Sequence, residues 1–153
     1  MKWKILISML FANIASADEP VMPDFVTPPQ KYEYQHEIAR AGDSLPDTVV
    51  DELYIGDVTA KELKFYFYLI GTNGHICGGS GIATFRDDSY YYDLPSVKEV
   101  YEQGKLRKER TECRLRVRFD STKASLQDED GNCKQSLCGM RGYIGDVKFQ
   151  RVR

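Results

Sequence analysis

Apolar and polar residues alternate with a period of two along most of the chain from about residue 31 onward. Leu63, Phe65, Phe67 and Leu69 alternate with Lys64, Tyr66, Tyr68 and Ile70. Successive side chains of a strand point to opposite faces, so this stretch predicts a strand with one strongly apolar face. Thr72-Asn73-Gly74 follows, and Asn-Gly favours a tight hairpin turn. A second strand is expected from His75 to Phe85, where Gly78, Gly79 and Gly81 mark a bulge or a close backbone approach. A third is Ser89 to Asp93, with three consecutive tyrosines. The clearest amphipathic strand is Cys113, Leu115, Val117 and Phe119, which alternate with Arg114, Arg116 and Arg118. Asp120-Ser121-Thr122-Lys123 turns it back into Ala124 to Gln127, and Val147 to Val152 closes the chain. Tyr32 to Ile38 and Val49 to Ile55 read as shorter strands.

One stretch departs from this period. Pro95 stands at a first-turn position, Ser96 and Glu99 match a capping box, and Val97, Val100 and Tyr101 lie at helical spacing before Gly104. One short helix is expected there. The fold class is all-β: a single small antiparallel sandwich or barrel with two disulfides and that helix.

The N-terminus reads as an address. Met1-Lys2-Trp3-Lys4 is a basic start, Ile5 to Ile14 an apolar run, and Ala15-Ser16-Ala17 a small-residue cleavage site. Spanning a bilayer needs about 20 apolar residues, and Asp18-Glu19-Pro20 interrupts this run first. Residues 1–17 are therefore expected to be a cleaved signal peptide, its form fitting the bacterial periplasm, and no membrane span is expected. Residues 18–30 hold four of the six prolines and read as an extended arm that becomes ordered on contact. Residues 31–153 form the β-domain. The whole chain of 153 residues carries 21 basic and 23 acidic side chains. Cleavage would remove two lysines and no acid, shifting the formal charge from −2 to −4. Such a chain has no strong field for nucleic acid, and no nucleic-acid partner is expected.

Four cysteines in an exported protein predict two disulfides. Cys133 and Cys138 share a polar loop, while Cys77 and Cys113 lie in predicted strands, which favours Cys77–Cys113 with Cys133–Cys138. A hairpin joining Arg110–Asp120 to Lys123–Cys133 would instead bring Cys113 to Cys133 and leave Cys77 for Cys138.

No arrangement of residues points to catalysis. His75-Ile76-Cys77 lacks the partner pair of a zinc site. Ser80 sits in Gly-Gly-Ser-Gly-Ile, without the last glycine of a nucleophile elbow. Asp128-x-Asp130-Gly131-Asn132 lacks the downstream glutamate of a calcium loop. His36 and His75, the only histidines, belong to no motif. No catalytic residue, metal or cofactor is expected. Two features suggest binding. The run Lys105, Arg107, Lys108, Arg110, Arg114, Arg116 and Arg118 reads either as a solvated strand face or as a docking surface for an acidic partner. Tyr90, Tyr91 and Tyr92 cannot all face inward, and an outward tyrosine suits an interface.

The segment Asn73–Phe149, about half of the chain, resembles a group of small exported bacterial proteins. The resemblance rests on Asn73-Gly74-His75-Ile76-Cys77, Gly81-Ile82-Ala83, Cys113-Arg114-Leu115 and Cys138-Gly139-Met140-Arg141-Gly142, then Gly145 and Phe149. It implies a secreted β-domain with two disulfides and carries over no catalytic site. In size and compartment the chain is also similar to periplasmic lysozyme inhibitors and immunity proteins. Arg141, flanked by glycines and tied by Cys138, would then be a rigidly presented cation. The expected function is a non-catalytic periplasmic binding protein that inhibits or neutralises a cell-wall-active enzyme or toxin. The partner would be another protein with an acidic surface, bound through Arg114, Arg116, Arg118 or Arg141. The alternative is a glycan stacked on Tyr90–Tyr92.

Overall fold

The apolar alternation at Leu63–Leu69 turns three large side chains to one side, and in the computed structural model Leu63, Phe65 and Phe67 are all but inaccessible to solvent. The structure describes residues 20–39, 42, 45–138 and 142–153. Its strands are β1 (Gln30–Ile38), β2 (Asp47–Gly56), β3 (Glu62–Ile70), β4 (Ile76–Arg86), β5 (Ser89–Glu102), β6 (Lys105–Phe119), β7 (Lys123–Asp128) and β8 (Asp146–Arg151). Each strand pairs antiparallel with the next, and β8 returns to β1 through Tyr32↔Arg151 and Glu33↔Gln150. The sheet is a closed barrel.

Inward side chains fill the barrel. Tyr32 and Leu53 face each other across β1–β2, Ile55 and Phe65 across β2–β3, and Val117 and Leu126 across β6–β7. Phe149 of β8 and Ile144 from the preceding loop complete the buried cluster. The buried Tyr32 hydroxyl lies 2.9 Å from the Asp120 carbonyl and 2.8 Å from Gln30 Oε1 and shares its one proton between them, so its polar end is satisfied.

The expected helix at Pro95–Gly104 does not form. That segment is the second half of β5, paired with β6 residue by residue from Tyr90↔Val117 to Glu102↔Lys105. Helix signals are local and worth about 1 kcal/mol each, whereas a continuous ladder satisfies every inward-facing backbone group along the strand. The Ser96 hydroxyl bonds the Asn132 carbonyl (2.6 Å) instead of capping a helix. Gly104 does end the segment, but as a hairpin turn with φ 74°. Among the described residues the helix is instead α1 (Lys134–Leu137), a single turn between two cysteines.

The disulfides correct the favoured pairing. They are Cys113–Cys133 and Cys77–Cys138. Beyond β7, the Glu129 N–H bonds the Arg114 carbonyl (3.0 Å) and Asp128 Oδ2 accepts the Cys133 N–H (2.9 Å), which draws the loop along β6 to Cys113. The turn of α1 then carries Cys138 to β4, where it forms an isolated bridge with Cys77. Closeness in sequence between Cys133 and Cys138 is overridden because the loop spans the gap between two strands.

The proline-rich arm, from Pro20 onward, is extended and already seated on the barrel. A Cβ at Gly78 would lie 2.4 Å from Pro20, and one at Gly56 would lie 2.5 Å from Phe25. Asp57 accepts the N–H groups of Val26 (3.0 Å) and Thr27 (3.1 Å), and Lys64 Nζ donates to the Asp24 carbonyl (2.9 Å). The expected signal peptide at residues 1–17 lies outside the described residues.

Candidate functional site

β4 and β5 are paired only from Thr84↔Tyr91 to Arg86↔Ser89, and β6 and β7 only from Leu115↔Asp128 to Phe119↔Ala124. β5 and β6 nevertheless stay paired to Glu102↔Lys105. Past Ser96↔Thr111 they leave the barrel as a free two-stranded ribbon. Six further residue pairs at about 3.3 Å each make a projection of roughly 20 Å. Gln103 (φ 50°) and Gly104 (φ 74°) both adopt left-handed backbone, the two-residue turn that matches strand twist.

The ribbon's two faces differ. On one, Lys98 lies 3.4 Å from Glu109, and Arg107 reaches Glu109 (2.5 Å) and Glu102 (3.5 Å). The other carries Val97, Glu99 and Tyr101 of β5 opposite Arg110, Lys108 and Leu106 of β6. At the tip Tyr101 is 77% and Leu106 54% exposed. Lys105, Lys108 and Arg110 make no ion pair or side-chain hydrogen bond with any described residue. At the base lies an open groove of about 570 Å³ bordered by Asp93, Pro95, Val97, Arg110, Glu112 and Ser136.

The expected binding arginines are engaged within the barrel's outer surface. Arg114 Nε binds Asp93 Oδ1 (2.7 Å), Arg116 Nε binds Glu129 (2.9 Å), and Arg118 Nε donates to the Ser89 hydroxyl (2.7 Å). Arg116 also bonds Gln127, and Arg86 joins Asp93 from β4. Burial alone would raise the Asp93 carboxyl, but hydrogen bonds from Arg114 and Arg86 outweigh it and hold the group below its ordinary value. Arg141 lies outside the described residues.

The three tyrosines do not form one platform. Tyr90 packs between Phe85 (5.0 Å) and Phe119 (5.9 Å) and donates its hydroxyl to the Thr59 carbonyl (2.9 Å). Tyr92 meets Phe65 edge-on inside the barrel (5.2 Å). Only Tyr91 faces outward, with the Arg86 guanidinium 4.6 Å from its ring centre.

His75 belongs to the turn before β4, where its N–H bonds Asn73 Oδ1 (3.2 Å) and its carbonyl accepts the Gly71 N–H (2.8 Å). His36 stacks on Tyr34 (5.2 Å) and places Nε2 3.3 Å from Asp51 Oδ1. Asp51 also accepts the Ile70 N–H (2.7 Å), and burial raises its carboxyl pKa. This pairing joins β1, β2 and the end of β3, and its spacing in sequence gives no sign of it. Tyr101, expected in a helix, and Leu106 were not expected as tip residues, although Gln103-Gly104 between two β-forming runs was an available turn signal.

Among the described residues, no helix is long and apolar enough to cross a membrane and no group of three or more His, Cys, Asp or Glu is placed to hold a metal ion. No family model, curated protein or solved structure matches the chain.

Proposed function

We propose that this chain is a non-catalytic binding protein of the bacterial envelope that occludes a cell-wall-active enzyme or a toxin. The observation that carries the reading is the projecting β5–β6 ribbon, with exposed Tyr101 and Leu106 at its tip and Lys105, Lys108 and Arg110 unpaired among the described residues. A barrel filled with side chains serves as its rigid base. Aromatic and aliphatic anchors supply contact area in a desolvated contact, and surrounding cations steer an acidic partner towards it. This moves the binding surface outward from Arg114 and Arg116, which are ion-paired in the barrel wall, and from Arg118, which is hydrogen-bonded to Ser89 there. The leader-like N-terminus and the two disulfides support an envelope location.

The test is a titration of the oxidised protein against a panel of purified peptidoglycan hydrolases, read as loss of muramidase or amidase turnover. One enzyme should be inhibited at near-equimolar ratio. Changing Lys105, Lys108 and Arg110 together to Glu should weaken inhibition by at least about ten-fold, while replacing Arg114 should not. Inhibition that survives the triple change but fails with Arg114→Ala would return the site to the barrel wall.

A further inference from the structure

The ribbon has two bare edges, and their chemistry differs. The pair next to a two-residue hairpin turn is hydrogen-bonded, so Glu102↔Lys105 is bonded, as is every second pair below it. Even-numbered residues of β5 therefore bond β6, and Val97, Glu99 and Tyr101 direct their N–H and C=O groups away. By the same count Leu106, Lys108 and Arg110 face the other edge. Nearer the barrel this parity is visible: the Pro95 carbonyl accepts the Ser136 hydroxyl (3.3 Å) and the Arg114 carbonyl accepts the Glu129 N–H (3.0 Å). Pro95, lacking an N–H, occupies an outward-facing position where nothing is lost. Among the described residues no strand pairs with Val97, Glu99 or Tyr101 on this edge.

An exposed flat edge is a template for another strand. We infer that the β5 edge pairs antiparallel with the β5 edge of a second copy of this chain, joining two ribbons into one four-stranded sheet about a two-fold axis at Val100. In this register Glu99 of each copy is hydrogen-bonded opposite Tyr101 of the other. Lys98 lies opposite Glu102 of the second copy. Within each ribbon Lys98 faces Glu109 and Glu102 faces Lys105. The row across four strands therefore reads Glu109, Lys98, Glu102, Lys105, alternating in sign, and symmetry produces it twice. Val100 meets its own copy at the axis. The tip residues Gln103 and Gly104 of the second copy fall beside Val97 and Ser96, at the groove lined by Pro95, Glu112 and Ser136.

The alternatives are weaker on charge. Shifting the register by two residues one way sets Glu99 against Glu99, and the other way sets Lys98 against Gly104 and Glu102 against Val100, which loses the alternating row. Pairing through the β6 edge about Arg107 or Lys108 sets that cation against its own copy on the axis, and about Leu106 it sets Lys105 against Arg107; like charges directly opposite are destabilising. The isologous β5 contact also leaves both basic β6 edges outermost, where the proposed partner docks. It does not depend on that partner.

Sedimentation equilibrium of the oxidised protein over a concentration series tests this. A reversible monomer–dimer equilibrium is expected. Glu99→Pro removes an outward N–H, as Pro95 does naturally, and should shift the species to monomer. Lys98→Glu and Glu102→Lys should each weaken dimerisation by at least about ten-fold. Mixed together they should dimerise again, because each like-charge row then becomes an opposite-charge row. Far-ultraviolet circular dichroism checks that each variant keeps its β content. A protein that stays monomeric throughout the series would overturn the inference. So would a dimer indifferent to Glu99→Pro, or charge variants that fail to recover on mixing.

Discussion

Tyr92 occupies the space that a side chain at Gly81 would need. A Cβ built at Gly81 lies 2.4 Å from Tyr92 Cε2, inside any real carbon contact. Tyr92 reaches that place because it points into the barrel from β5 and rests edge-on against Phe65. The glycine makes the large ring possible. Gly81→Ala should therefore destabilise the fold by about 1–3 kcal/mol through overpacking, read as a lower denaturation midpoint. Tyr92→Leu in the Gly81→Ala background should recover part of that loss. A Gly81→Ala protein with unchanged midpoint would mean the ring has room to move aside.

The two disulfides should contribute unequally. Cys77–Cys138 joins residues 61 apart and Cys113–Cys133 residues 20 apart. By loop entropy the first contributes about 4 kcal/mol and the second about 3 kcal/mol. The Cys77→Ser/Cys138→Ser double variant should thus unfold at a lower denaturant concentration than Cys113→Ser/Cys133→Ser. Peptide mapping without reduction should recover fragments joined as 77 with 138 and 113 with 133. Fragments joined as 77 with 113 would contradict the fold near α1.

The strands were legible because period-two alternation reflects burial directly: Leu63, Phe65 and Phe67 turn inward as their spacing requires, and Cys113, Leu115 and Val117 do the same opposite outward arginines. Gly81 was legible as a close approach, although Tyr92 as its neighbour was not. The failures share one cause, which is pairing between distant segments. Pro95, Ser96 and Glu99 carry real helix signals, but the fold of β6 supplies a partner for the whole stretch and the ladder prevails. Cysteine pairing depended on whether the loop after β7 follows β6, and no local feature of Cys133 or Cys138 reveals that. The arginines were correctly placed on one face. The acids of Arg114 and Arg116, Asp93 and Glu129, come from other segments, so these two arginines look free in sequence but are ion-paired in space.

That neutralisation has a measurable consequence. Arg116 is 23% exposed and is held by both Glu129 and Gln127, whereas Lys108 on the ribbon is exposed and unpartnered among the described residues. Arg116→Ala should cost about 1 kcal/mol in chemical denaturation, since it strands a half-covered carboxylate and an amide. Lys108→Ala should leave the midpoint within about 0.5 kcal/mol. Equal effects from the two would mean that the ion pairs on the barrel wall contribute nothing measurable.

The proline-rich arm should respond to acid through one carboxylate. Asp57 sits in left-handed backbone (φ 49°) just past β2. Hydrogen bonds from the Val26 N–H, then from Lys64 and the Thr27 N–H, hold its pKa at about 2, below the ordinary 3.8. A depressed folded-state pKa means that the docked arm prefers the charged carboxylate. Its contribution is complete above about pH 4 and is lost as pH falls through about 2. The amide resonances of Val26 and Thr27 should therefore move towards undocked positions between pH 4 and pH 2, while those of Phe65 and Leu115 in the barrel hold. Asp57→Asn tolerates the same backbone but cannot carry the charge. Its Val26 and Thr27 amides should already be displaced at neutral pH and show no further change on acidification. If the wild-type amides stay fixed down to pH 2, apolar seating of Pro20 and Phe25 on Gly78 and Gly56 is what retains the arm, and the carboxylate is incidental to it.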